Sequence, residues 1–98
     1  MDDVHYQTKL GIYSISIELV DYGDRLDDYE PYWKWFIRIE DEKQQCMVEQ
    51  DGPKGGYYGC IEAAIEEALE QLQHVQVLHV EDEMIEDIRK NIQKRKDT

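Results

Sequence analysis

The chain has few cysteines and few basic residues, and each scarcity argues against a class of protein. Two cysteines, Cys46 and Cys60, make no disulfide framework, so we expect a reducing, cytoplasmic setting. Lysine and arginine number 11 against 23 acidic residues, and the net charge is −12. We therefore expect no direct binding to nucleic acid, whose phosphates require clustered cations, and no binding to anionic membranes.

Long apolar runs are also missing. No run approaches the roughly 20 residues that a membrane-spanning helix needs. The first five residues are acidic and lack the apolar stretch of a signal peptide. Only two prolines and 10% aromatic residues are present, yet 41% of the chain is hydrophobic. A chain of 98 residues with this content predicts a single domain, residues 1–98, with one modest core.

Alternation of apolar and polar residues predicts three strands. The clearest alternation runs through residues 32–40, where one strand face carries Trp33, Trp35, Ile37 and Ile39. An earlier strand, starting near Gly11, has a similar face made of Tyr13, Ile15, Ile17 and Leu19. A less regular third strand at residues 44–50 would turn Cys46 and Val48 to the core and form an antiparallel hairpin with the second. Residues 1–10 show too little pattern for an assignment.

Two helices follow a glycine-rich turn. Residues 60–73 keep the spacing of one apolar stripe, which consists of Ile61, Ala64, Ile65, Ala68, Leu69 and Leu72. Residues 81–96 carry a narrower stripe, with acids first and bases last, as the helix dipole favours. Residues 74–80 fit either a short fourth strand or a continued helix, and the strand is preferred. The pattern predicts an α+β domain: a three-stranded antiparallel sheet, with a possible fourth short strand, against one amphipathic helix, followed by a C-terminal helix.

Side chains able to bind a metal or act as nucleophiles are sparse. The candidates are His5, His74, His79, Cys46 and Cys60, and they form neither a Cys-x-x-Cys nor a His-Glu-x-x-His motif. Cys60 at a helix start, with His74 or His79 as base, is the one conceivable nucleophilic pair. No flanking signature supports that pair. We therefore predict a non-enzymatic protein with no catalytic residues, no metal and no cofactor.

Acidic side chains form the strongest candidate for a functional surface. Glu62, Glu66 and Glu70 recur every four residues on one helix face, about 6 Å apart, which is close to the spacing of successive phosphates. The loop before the tryptophan strand adds Asp24, Asp27, Asp28 and Glu30. These seven residues predict a binding surface for a basic protein, namely a nucleic-acid-binding protein or complex, by nucleic-acid mimicry. A solvated face that serves solubility is an alternative of equal weight.

The order of elements from residue 33 to residue 72 resembles that of small phage and mobile-element proteins. It consists of a Trp-x-Trp strand, a polar hairpin, the turn Gly56-Tyr57-Tyr58-Gly59 and a helix rich in alanine and glutamate. Some anti-CRISPR proteins look like this, and HicB-type antitoxins share the strands-then-helix order. The resemblance implies a non-enzymatic inhibitor and carries over no functional residue. The alternative is an antitoxin-like or scaffold module, a homodimer formed through a sheet edge or the C-terminal helix.

Overall fold

The computed structural model describes residues 3–23, 31–53 and 58–97. Within these residues the chain forms one four-stranded antiparallel sheet and two α-helices, so the domain is α+β. The strands are β1 (Val4–Leu10), β2 (Tyr13–Asp21), β3 (Trp33–Glu40) and β4 (Cys46–Gly52). The helices are α1 (Ile61–Gln73) and α2 (Asp82–Lys96). The strands lie in the sheet in sequence order, β1-β2-β3-β4.

The two predicted central strands, β2 and β3, pair edge to edge, with their apolar residues opposite each other. Ile15 lies opposite Ile39, and Ile17 lies opposite Ile37. Leu19 lies opposite Trp35, which completes the apolar row. A period of two on both strands therefore sends both sets to the same side of the sheet. The predicted faces of these strands are confirmed.

The fourth strand exists, but it lies at the start of the chain. β1 pairs along its whole length with β2, from Val4 opposite Leu19 to Leu10 opposite Tyr13. The hairpin turns at Gly11, whose φ of 62° suits glycine. Residues 74–80, where the extra strand was preferred, form neither strand nor helix. They close the core as an irregular segment in which Val80 is buried and Val75 and Leu78 are partly buried.

Both helices cover the same face of the sheet. α1 packs over β3 and β2, whereas α2 packs over β1 and against α1. The whole predicted stripe of α1 is buried, as are the isoleucines of α2: Ile85, Ile88 and Ile92. Asp82 and Glu83 open α2, and three basic residues close it, which complements the dipole at both ends. The opposite face of the sheet carries no helix in the described part of the chain.

A register shift corrects one predicted core position. Ile39 pairs with Val48, but Glu40, the next residue, pairs with Cys46, so β4 has an extra residue there. Val48 packs against the core as predicted. Cys46 does not face the core, because the bulge leaves it exposed, with its Sγ 3.8 Å from a carboxylate oxygen of Glu49.

Candidate partner-binding surface

The acidic row of α1 is exposed. Glu62, Glu66 and Glu70 all point away from the buried stripe of the helix, because they occupy the opposite side of the 3.6-residue repeat. The other four predicted binding residues, Asp24, Asp27, Asp28 and Glu30, lie outside the described residues. The structure therefore describes only the helical part of the predicted surface.

Helix α2 brings two cations onto that row. The Nζ of Lys96 lies 2.6 Å from Oε1 of Glu62. Arg89 binds both carboxylate oxygens of Glu66, through Nε and Nη2 at 2.8 Å each, and also pairs with Glu86. Of the three predicted acids, only Glu70 forms no ion pair within the described part of the chain. Cations of α2 therefore compensate two of the three negative charges in this row.

Three members of these ion pairs, Glu62, Lys96 and Arg89, have pKa values shifted in the direction that strengthens the pairs. The hydrogen bond from Lys96 lowers the pKa of the Glu62 carboxyl, and the same bond raises the pKa of the Lys96 ammonium. Hydrogen bonds to Glu66 and then to Glu86 raise the pKa of Arg89. Glu62, Lys96 and Arg89 are therefore charged at neutral pH. The ion pairs link α2 to α1, so Glu62 and Glu66 are already engaged within the chain.

Replacing Lys96 by methionine should lower the melting temperature at pH 7 by about 1–3 °C, because an exposed pair stabilises weakly. The pKa of Glu62 is lowered in the folded state, so its stabilisation is present above the ordinary carboxyl pKa and is lost as the pH falls through the lowered value. The difference between parent and variant should therefore vanish near about pH 3. Melting curves at both pH values test this. Lys90→Met is the control, since Lys90 is exposed and forms no ion pair within the described residues; an equal drop in both variants would contradict the prediction.

Glu67 on α1 forms hydrogen bonds both to β3 and to Tyr58, which lies just before the helix. Its Oε1 accepts a hydrogen bond of 3.0 Å from the indole Nε1 of Trp35, and its Oε2 accepts one from the hydroxyl of Tyr58. The bond to Glu67 raises the pKa of Tyr58, and burial of the phenol adds to that rise. The backbone of Tyr58 also pairs with Trp33, with N to O distances of 2.9 and 3.3 Å. Sequence reasoning missed this role, although a buried indole N–H needs an acceptor and the polar edge of α1 offers one.

The helix-free face of the sheet has a half-buried aromatic ring at its centre. Phe36 lies between Glu18 on β2 and Asp51 on β4 in the same cross-strand row. In the next row, Arg38 binds Glu40 and Glu49 at 2.7 Å each. A shallow concavity of about 500 Å³ opens over these side chains. The described part of this face therefore carries charges of both signs, and the guanidinium of Arg38 is paired with two carboxylates.

Of the two candidate catalytic pairs, the one formed by Cys60 and His74 does not come together. Cys60 is the N-cap of α1 and His74 is its C-cap, so the helix separates them by about 20 Å. His74 instead places Nδ1 2.7 Å from the carbonyl oxygen of Glu70. Within residues 3–23, 31–53 and 58–97, no three side chains of His, Cys, Asp or Glu are grouped so that they could hold a metal ion.

None of the helices in the described ranges is both long enough and apolar enough to cross a membrane. Comparisons with family models, curated proteins and solved structures gave no match to this chain. The resemblance to anti-CRISPR proteins and HicB-type antitoxins therefore stays a prediction.

Proposed function

We propose that this chain is a non-enzymatic, acidic protein-binding inhibitor or regulator that acts on a basic surface of its partner. The partner would be a nucleic-acid-binding protein or complex, and its nucleic acid would compete for the same surface. In this respect the chain would work as anti-CRISPR-like phage proteins do.

The charge balance of the surface supports this proposal. The net charge is −12, and the cations Arg38, Arg89 and Lys96 are each bound to carboxylates of their own chain. Exposed carboxylates without an ion pair among the described residues occur on sheet, loop and helices, and they include Glu18, Glu42, Asp51, Glu70, Glu83 and Asp87. A surface with such an excess attracts cationic partners and steers their approach.

The ion pairs change which residues support mimicry. Glu62 and Glu66 have their charges compensated by α2, so a phosphate-like row along α1 is a weaker basis for the mechanism than the sequence suggested. Glu70 forms no ion pair within the described residues. The proposal therefore depends more on the four acidic residues of the loop than on the helix. These are Asp24, Asp27, Asp28 and Glu30.

Capture from a host lysate by the immobilised protein tests the function. We expect a basic nucleic-acid-binding protein to be retained at about 0.05 M salt and released as salt rises, because screening shortens the range of exposed charges. A DNA or RNA oligonucleotide should release the same protein by competition. A partner that holds the oligonucleotide and this chain together at undiminished affinity would contradict mimicry.

Matched charge reversals identify the surface that matters. Asp27→Lys combined with Asp28→Lys should weaken capture by about tenfold. The control is Glu83→Lys combined with Asp87→Lys, which changes the net charge equally on exposed positions of α2. Glu66→Lys is unsuitable as a probe, because it would set two cations against each other at Arg89. Equal weakening in both double variants would mean that only net charge is recognised.

The alternative is the scaffold or antitoxin-like module that forms a homodimer. Among the described residues β4 pairs on one side only, and this unpaired edge favours the alternative. The apolar stripe of α2, however, is already buried within its own chain. Sedimentation equilibrium distinguishes the two functions: the inhibitor should be a monomer at micromolar concentration, and the module a dimer.

A further inference from the structure

The two edges of the sheet differ in how they are covered. β1 lies under α2, whereas β4 extends beyond the main footprint of both helices. Of the seven residues of β4, only Gly52 is buried, and Val48 is half-buried. β4 pairs with β3 alone, so its other edge offers backbone N–H and C=O groups that no described strand uses. Such an edge is a template for another strand.

Concave surfaces lie on both sides of this edge. The concavity over Phe36 on the helix-free face includes Glu49, Gln50 and Asp51 of β4 in its wall. A second one, of about 550 Å³, lies on the helix side and is lined by the same three residues together with Trp35, Glu67 and Gln71. Side chains of a strand alternate between the two faces of a sheet. A strand added beside β4 would therefore place successive side chains in the two concavities in turn.

The charges of β4 disfavour a second copy of this chain as the added strand. Glu49 and Asp51 lie on the helix-free face, two residues apart, as their partners Arg38 and Phe36 do. In a two-fold antiparallel pair centred on Glu49, that residue would face its own copy. Centred on Gln50, Glu49 would face Asp51 of the copy. Like charges directly opposite each other destabilise a strand pair. The exposed Arg38–Glu49 pair offsets this repulsion only in part, so the registers with the greatest overlap are penalised.

A strand with basic residues at alternate positions has the opposite preference. Its cations would lie beside Asp51, which forms no ion pair among the described residues, and beside Glu49, whose charge Arg38 already offsets in part. Its other side chains would meet the amides of Gln50 and Gln71, the edge of Trp35 and the carboxylate of Glu67, which already accepts hydrogen bonds from Trp35 and Tyr58. Those neighbours suit short polar side chains.

We propose that the free edge of β4 is the docking site for an extended segment of the partner protein, which adds to the sheet as a fifth strand with basic residues on the helix-free face. This site rests on the proposed function, since it assumes a basic partner. Main-chain hydrogen bonds provide the affinity, and the alternating pockets provide the preference for side chains.

A seven-residue peptide that alternates arginine with threonine is the probe. Titrated into the full chain at low salt, it should shift the amide NMR signals of β4 and slow hydrogen exchange at alternate residues of that strand. Two further peptides carry N-methyl groups, one on every arginine and one on every threonine. An added strand points only alternate amides at its neighbour, so one methylated peptide should lose binding and the other should keep it. Equal binding, or equal loss, in the two methylated peptides would overturn strand addition.

Charge variants separate this site from general attraction. Asp51→Lys, which leaves the Arg38–Glu49 pair in place, should weaken the peptide by about threefold. Asp87→Lys makes the same change in net charge on an exposed position of α2 and should weaken it far less. Equal weakening in both variants would refute the β4 site without contradicting the proposal that the partner is basic. If the unmethylated peptide does not bind the parent at all, the β4 site is wrong, whereas the proposed function is decided separately by the lysate capture.

Discussion

Trp35→Ala is expected to lower the free energy of unfolding by about 3–5 kcal/mol, as large-to-small changes at buried aromatic residues do. The side chain is 3% exposed and sits in the core formed by β2, β3 and α1. Its removal would also leave the Glu67 carboxylate without the indole donor. A small domain has a total stability of about 5–15 kcal/mol, so this loss is a large part of it.

Urea denaturation of parent and variant measures the loss, and two further variants define its cause. Trp35→Phe keeps most of the ring packing but removes the hydrogen bond to Glu67, so it should cost about 1–3 kcal/mol. Met47→Ala, at a position that is 44% exposed, should be within about 0.5 kcal/mol of the parent. A Trp35→Ala variant as stable as Met47→Ala would mean that the core is assigned to the wrong face of β3.

The central part of the fold could be predicted because the order of apolar and polar residues within each element indicates which face is buried. Ile15, Ile17 and Ile39 alternate with polar residues, and a period of two leaves one assignment of faces. Ile65 and Leu72 repeat at helical spacing in the same way. All five are buried in one cluster. Where one face of an element is fully covered, its side-chain pattern is sufficient to predict which face that is.

The predictions that were wrong or missing concern strands that are only partly buried. β1 has only Val4 buried, because its other core-facing residues lie near the rim of the sheet. Its alternation is therefore made of weakly apolar residues such as Tyr6 and Thr8 and was not recognised. The bulge that turns Cys46 outward depends on the register between two strands. Register is a property of the pair and of the turn that joins them, and the alternation of a single strand does not report it.

The ion pairs of the acidic row were also beyond local patterns. Lys96 is 34 residues from Glu62, and Arg89 is 23 residues from Glu66. Only the packing of α2 against α1 brings them together. The acidic start and basic end of α2 suit its own dipole, so the sequence offered a sufficient reason for the basic residues before their second role was visible. The sequence therefore predicts that these acids lie on the exposed face of α1. It does not predict the net charge of that face, because cations of α2 pair with two of the acids.

Gly52→Ala is expected to lower the free energy of unfolding by about 1–3 kcal/mol through overpacking. A Cβ atom at Gly52 would lie 2.5, 2.6 and 2.7 Å from Cζ2, Cε2 and Nε1 of Trp35. The indole is a rigid ring held in the core, and its Nε1 also donates to Glu67, so it cannot move aside without losing packing or that hydrogen bond. Glycine at this position is thus required by the close approach of β4 to the indole.

Gly59→Ala is the matched control, because a Cβ atom there would meet no atom within 4 Å, and its stability should stay within about 0.5 kcal/mol of the parent. A double-mutant cycle then tests the cause. If the penalty at Gly52 comes from the indole, Gly52→Ala should cost little when it is made in a Trp35→Ala background, and the two changes should be non-additive by about 1 kcal/mol or more. Additive losses, or an equal loss in Gly59→Ala, would show that the penalty arises from the backbone of β4 and that the indole does not lie over Gly52.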